Sequence, residues 1–194
     1  MAKLVPTILA LTPGEYHQRL EQVRPHTRRI HVDICDGDFV DVTTINLAQV
    51  YVPEGYELDL HLMVQNPFSL LNSAIALQPS RIIIHAEVEG HHVDCLKEIK
   101  SFGVDAGVAF LPKTQLEDHA ELVELADHIL VFTGTIGHYG GNLDRDQLHK
   151  IVDARAMNAN AEVSIDGGIN ADNAGELDAD VLYVGSAYMD MVKS

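Results

Sequence analysis

Two cysteines, few basic residues and no long apolar run are the first things this 194-residue chain declares. Cys35 and Cys95 do not form a CxxC pair, which argues against a disulfide framework or a thiolate zinc site. Free thiols fit a reducing compartment. The longest apolar runs are as short as Ile82-Ile83-Ile84, far below the roughly 18 residues that a membrane span needs. Pro6 arrives too early for the apolar core of a secretory leader, so a cytoplasmic protein is expected. Lys and Arg number 13 against 29 acidic side chains, a formal net charge of −16. Such a surface repels nucleic-acid backbones and anionic lipid, so neither is expected as a partner.

What is present is an alternation. Short β-rich runs occur at Leu4–Leu9, Arg29–Ile34, Leu58–Met63, Arg81–His85, Asp105–Phe110, His128–Phe132, Glu162–Ile165 and Val181–Val184. Most are continuous apolar runs, as expected for parallel strands covered on both faces. Helix signals lie between them. Thr12-Pro13-Gly14-Glu15 and Thr114-Gln115-Leu116-Glu117 read as capping boxes, and Asn66-Pro67 as a third helix start. Gly103 follows the amphipathic stretch 93–102 as a helix stop. The segment Thr43–Val50 carries the weakest helix signal. With no linker or domain break, residues 1–194 predict one α/β domain, a (β/α)8 TIM barrel. An open doubly wound sheet is the rival, but usually has fewer strands. Barrels usually run from about 200 to over 400 residues, so shortened helices are expected here.

Barrel enzymes place their chemistry at the C-terminal ends of strands. His31 and Asp33, His61, and Asp166 stand at such ends in otherwise apolar runs. His31 and Asp33 are two apart, so a strand points both the same way. Each alone reads as an ordinary hydrogen-bonded strand end. Together they form a mixed nitrogen and oxygen set suited to one divalent metal ion: zinc, manganese, iron or cobalt. A cation is the simplest way to keep converging carboxylates ionised. Gly167-Gly168 and Gly185-Ser186 fall where barrels often cradle phosphate. His85 reads as a packed strand-end histidine. His17, His26, His91, His92, His119, His128 and His149 read as surface or loop positions.

The segment His31-Val32-Asp33-Ile34-Cys35-Asp36-Gly37-Asp38-Phe39-Val40 resembles the HVDxMDGxFV signature of ribulose-phosphate 3-epimerases. Leu58-Asp59-Leu60-His61-Leu62-Met63 with Asn66-Pro67 is similar to that family's LDVHLM…NP. Ile84-His85-Ala86-Glu87, Ala106-Gly107-Val108 with Pro112-Lys113-Thr114, Ser164–Ile169 and Val184-Gly185-Ser186-Ala187 follow in order. The resemblance covers nearly the whole chain. It implies an isomerase of carbohydrate metabolism, in the pentose phosphate pathway, that inverts C3 of a phosphorylated ketose. It implies that His31, Asp33, His61 and Asp166 bind one metal ion, with Asp33 and Asp166 as the acid/base pair. Thr7, His61, Gly140, Gly141, Gly167, Gly168, Gly185 and Ser186 become substrate-binding candidates, with Gly140-Gly141 as part of a closing lid. Assembly with further copies of the chain is also implied.

Departures touch the walls and roof. Thr7 stands where the family's PSILS motif has serine, and Cys35 where its signature has methionine, at a position read as covering the sugar. The lid, normally NPGFGGQ, is Ile136-Gly137-His138-Tyr139-Gly140-Gly141-Asn142. A six-carbon ketose phosphate therefore stays open as substrate, as does a non-catalytic sugar-phosphate-binding role. A phosphosugar aldolase, synthase or decarboxylase usually wants a lysine at a strand end, and none is placed convincingly.

Overall fold

The computed structural model describes residues 2–88 and 90–193. Eight parallel strands pair in sequence order and the last closes on the first. They are β1 (Lys3–Ile8), β2 (Arg29–Cys35), β3 (Glu57–Met63), β4 (Arg81–His85), β5 (Asp105–Phe110), β6 (His128–Phe132), β7 (Glu162–Asp166) and β8 (Val181–Val184). The expected strands are all present. Ends move by one residue at β1, β2, β3 and β7, where local pattern says least about the stopping point.

The helices are α1 (Pro13–Val23), α2 (Leu71–Ile75), α3 (His92–Ser101), α4 (Ala120–Leu125), α5 (His149–Met157) and α6 (Tyr188–Lys193). Between β2 and β3, and between β7 and β8, single 3-10 turns replace a helix, at Leu47–Gln49 and Ala174–Glu176. The weak helix signal at Thr43–Val50 thus corresponds to no α-helix. The buried Thr44 hydroxyl accepts the Cys35 N–H at 2.9 Å and donates to the Asp33 carbonyl at 3.2 Å. The Ile45 N–H is bonded to Ala10 O at 2.9 Å. A segment tied to two strand ends by its own backbone cannot also wind into a helix.

Thr12 caps α1 as expected, accepting the Glu15 N–H at 3.2 Å, with Pro13 in the first turn. The Glu15 carboxylate takes the Leu11 N–H instead of that of Thr12. Thr114 does not cap a helix. The chain there enters a 3-10 turn at Glu117–His119 before α4, and the Thr114 hydroxyl bonds to Glu87. Gly103, at φ +74°, stops α3 as expected.

Alternate strand residues face opposite sides of the barrel wall. Ile30, Val32, Leu58, Leu60, Ile82, Ile84, Val108, Ile129 and Ile165 belong to the large outer core with Leu20, Leu96, Ile99 and Ala154 of the helices. Val5, Ile83, Ala109, Leu130, Phe132, Val181 and Tyr183 pack together as a separate inner cluster. Gly107 makes that inner packing possible, since a Cβ there would lie 2.8 Å from Ile83 Cγ1.

The floor of the barrel is charged, contrary to the expectation of apolar strands with polar tips. Asp59 is fully buried and accepts Arg29 Nε at 2.8 Å and the Tyr183 hydroxyl at 2.8 Å. Glu162 pairs with Arg29 at 2.9 Å and with Arg81. His128, expected at the surface, is fully buried here. Its Nδ1 accepts from Arg81 at 2.9 Å, leaving Nε2–H for Ser164 Oγ at 2.8 Å. The misreading has a physical cause: a single chain's pattern shows a polar residue at a strand start but not its partner on another strand.

Burial, joined by the Arg81 charge, lowers His128 from 6.5 to about 4. The unfolded chain takes up that proton near its ordinary value, so between these two pH values it binds more protons than the folded protein. Stability is therefore present above about pH 6.5 and falls as pH drops toward 4, by roughly 3 kcal/mol for this group. Thermal unfolding from pH 8 to 4 checks this; His128→Asn, which cannot protonate, is expected to reduce the slope, leaving the part due to His85, which burial likewise lowers to about 4. Tyr183→Phe removes a donor from buried Asp59 and is expected to cost about 1–3 kcal/mol by denaturant titration.

Candidate metal and substrate site

Strand register builds the site directly. Thr7 lies beside His31, Asp33 beside His61, and Asp166 beside Tyr183. His31 and His61 are fully buried, while Asp33 and Asp166 are 4% and 8% exposed, so the carboxylates alone of the four reach the opening. His31 Nε2, His61 Nδ1 and Asp33 Oδ1 form a triangle with edges of 3.1, 3.3 and 3.0 Å. Asp166 Oδ2 lies 3.7 Å from His31 Nε2. One ligand atom from each of the four residues falls within 4.8 Å of all the others.

The electrostatics of the two carboxylates differ. Burial opposes ionisation of Asp33, but hydrogen bonds from His31 and His61 overcome it and hold its carboxyl below the usual range. Burial and the nearby Asp33 charge push Asp166 up to about 8. Two imidazole nitrogens and two carboxylates in a buried strand-end pocket are the donor set of a divalent-ion site with positions left for substrate. The residues present fit such an ion.

Loops roof the site. A cavity of about 210 Å³ is lined by Asp33, Asp166 and Thr7, by the pairs Gly140-Gly141 and Gly167-Gly168, and by Gly185-Ser186. Of the substrate-binding candidates only His61 lies outside this lining, sealed behind Asp33. No Lys or Arg is among the lining residues. Gly167 and Gly168 allow two loops to cross: at φ +116° and +71°, their Cβ atoms would sit 2.1 Å from Gly134 N and 2.0 Å from Leu143 N. The Thr7 hydroxyl is buried without a partner. Tyr139 and His138, the lid's departures, both line the cavity. Tyr139 lies against Gly185 and carries the Arg19 guanidinium 3.8 Å above its ring.

Several features escaped the sequence. Cys35 does not face the cavity; it packs with Val40 and Met63, and Met63 lines the wall instead. Asp36 of the signature segment is a loop staple, accepting N–H groups from Asp38, Phe39 and Gln65. Tyr183 supports His31 from below, ring centroids 3.9 Å apart; only its place two residues before Gly185 hinted at an inward side chain. His85 is a packed strand-end residue as read, but its Nε2 meets His61 Nε2 at 2.9 Å.

The sequence profile of the ribulose-phosphate 3 epimerase family matches residues 3–189. The chain belongs to that family. Ribulose-phosphate 3-epimerase of Aquifex aeolicus is 30% identical over 200 aligned positions, spanning 96% of this chain and 89% of the relative. That of Helicobacter pylori is 31% identical, spanning 95% and 89%. Among solved structures, 3-hexulose-6-phosphate synthase from Salmonella typhimurium superposes with a TM-score of 0.69 at 17% identity, over 95% of this chain and 89% of that one. Mycobacterium tuberculosis tryptophan synthase gives 0.70 at 17%, over 99% and 86%. At such identities the likeness is one of fold alone. No helix among the described residues is long and apolar enough to cross a membrane.

Titration with Co(II), followed by visible absorption, is expected to saturate at one ion per chain. Because the ion binds the folded chain, thermal unfolding should rise with its concentration. His31→Ala and Asp33→Asn are each expected to weaken binding by at least tenfold; unaltered affinity in both removes the assignment.

Proposed function

We propose that this epimerase-family protein interconverts D-ribulose 5-phosphate and D-xylulose 5-phosphate by inverting C3. The observation that carries the reading is the pairing of Asp33 and Asp166, two carboxylates of opposite proton affinity at one barrel mouth. Inversion beside a carbonyl requires a proton to leave one face of the carbon and another to return on the opposite face. Ionised Asp33 is suited to take the C3 proton, and protonated Asp166 to deliver one from the other side. In the reverse direction the roles exchange. The intermediate between the two transfers is an enediolate. A divalent ion held by His31, Asp33, His61 and Asp166 would supply positive charge where negative charge develops on the substrate oxygens.

Around this pair, the unpartnered Thr7 hydroxyl is placed to take a sugar hydroxyl. The phosphate belongs against the backbone of Gly167-Gly168 and Gly185-Ser186, with Gly140-Gly141 closing over it. Backbone N–H groups suit the task, since the lining offers no cationic Lys or Arg. The same fact argues against aldolase or synthase chemistry that needs a lysine. Lys150, buried outside the lining, has its ammonium bonded to the Leu111 and Pro112 carbonyls at 2.9 Å.

In deuterated water, ribulose 5-phosphate is expected to gain deuterium at C3 as xylulose 5-phosphate forms. Asp166→Asn should lower turnover by about 10²–10⁴-fold with thermal unfolding little changed. Six-carbon ketose phosphates run alongside decide the substrate. Tight sugar-phosphate binding by the wild type without turnover on any of them would assign a non-catalytic role instead.

A further inference from the structure

The backbone of the lid is bonded within itself. The His138 N–H reaches Thr135 O at 3.2 Å, and His138 Nδ1 donates to Ile136 O at 3.0 Å. Gly137, Gly140 and Gly141 stand at φ +73°, +97° and +121°, conformations that glycine enters and leaves with little resistance. His138 and Tyr139 are the two side chains between these glycines. At one edge a Cβ on Gly137 would lie 3.3 Å from Val42 Cγ2, in the loop after β2. At the other, a Cβ on Gly140 would lie 2.9 Å from Ser186 Oγ, and one on Gly185 3.4 Å from the Tyr139 ring. The lid thus crosses the cavity from the loop after β2 to the loop after β8.

Arg19 of α1 closes that second edge from outside. Its guanidinium carbon stands 3.8 Å from the Tyr139 ring centroid, a stacking distance. Nη2 of the same group pairs with Glu15 Oε1 one turn back, and Glu15 Oε2 accepts the Leu11 N–H at 2.8 Å. Leu11 lies just beyond β1, two residues after Leu9 of the cavity lining. The cation is therefore fixed to chain continuous with the barrel wall. A planar guanidinium offers its face to a ring and its edge to a carboxylate at once, which an ammonium cannot do. The Arg19 side chain is 22% exposed, so the stack is partly shielded from water. We propose that Arg19 is a positioning residue that latches Tyr139 and so holds the lid shut over Gly185-Ser186. That this edge grips the substrate phosphate rests on the epimerase reading above; the latch itself does not.

The chain has no tryptophan, so Tyr139→Trp places a single indole in the lid, and indole is the best ring partner for a cation. Acrylamide quenching of that indole is expected to be about 2–10-fold stronger when Arg19→Gln is added. With Tyr139 native, Arg19→Gln is expected to raise KM for ribulose 5-phosphate about 2–10-fold at unchanged kcat, the pattern of lost uniform binding. Tyr139→Leu should raise KM as well, and adding Arg19→Gln to it should change nothing further, because the contact is already gone. An Arg19→Gln effect on KM that persists in full beside Tyr139→Leu overturns the latch. So does an indole quenched equally with either residue at position 19. A fall in kcat as large as the fall in kcat/KM also overturns it, since Arg19 would then act on the chemistry and not on the lid. If the wild type turns over no ribulose 5-phosphate, the epimerase reading falls, and the quenching pair, which needs no substrate, still decides the latch.

Discussion

A carboxylate inside a barrel has to meet a positive charge or give up its own, and this constraint organises the whole lumen. The structure answers it in two ways. On the floor, Asp59 is met by Arg29 and Arg81 from the strands on either side of it, and Glu162 by the same two arginines from across the barrel. At the mouth, Asp33 and Asp166 are met by no arginine or lysine; imidazoles bond the first, and the second is left with a raised proton affinity. The floor is electrostatically closed. The mouth keeps two carboxylates without a fixed cation, and that difference sets the two ends of the barrel apart.

The two layers are mechanically joined. The Tyr183 hydroxyl is fixed on Asp59 below, and its ring lies under His31 above. Thr44 ties the Asp33 carbonyl from the loop that replaces a helix after β2. His31 and Asp33 are thus each held by a residue whose own partners lie elsewhere. Preorganisation of this kind matters because a ligand set displaced by a fraction of an ångström loses affinity, and a misplaced acid or base loses rate.

The parts of this arrangement that were legible in the sequence are those carried by local pattern. Eight β-rich runs marked the strands, and His31, Asp33, His61 and Asp166 stood out because polar residues broke apolar runs at strand ends. The floor network was not legible. Arg29, Asp59, Arg81, His128 and Glu162 sit near strand starts, where a charge ordinarily faces water, and only barrel closure brings them together. Thr114 failed for a related reason. Its spacing to Glu117 satisfies a capping pattern, but Glu87, remote in sequence, takes its hydroxyl. Cys35 misled because alternation places it on the inner face, while the following loop folds Val40 over it.

An acidic protein that handles an anion needs a local exception to its own field. The cavity provides it through absence as well as presence: among the described residues Asp33 and Asp166 are the only carboxylates in its lining, both at strand ends, while the opposite wall is glycine backbone. At Gly167 and Gly168 any side chain would collide with the neighbouring loop's backbone, so the wall is bare by necessity. The chemistry is built on strands and the wall on crossed loops. The lid differs again, since His138 and Tyr139 are side chains on a roof held by Arg19. Changes there can alter what fits beneath it while leaving β2, β3 and β7, and the four-residue cluster they position, undisturbed.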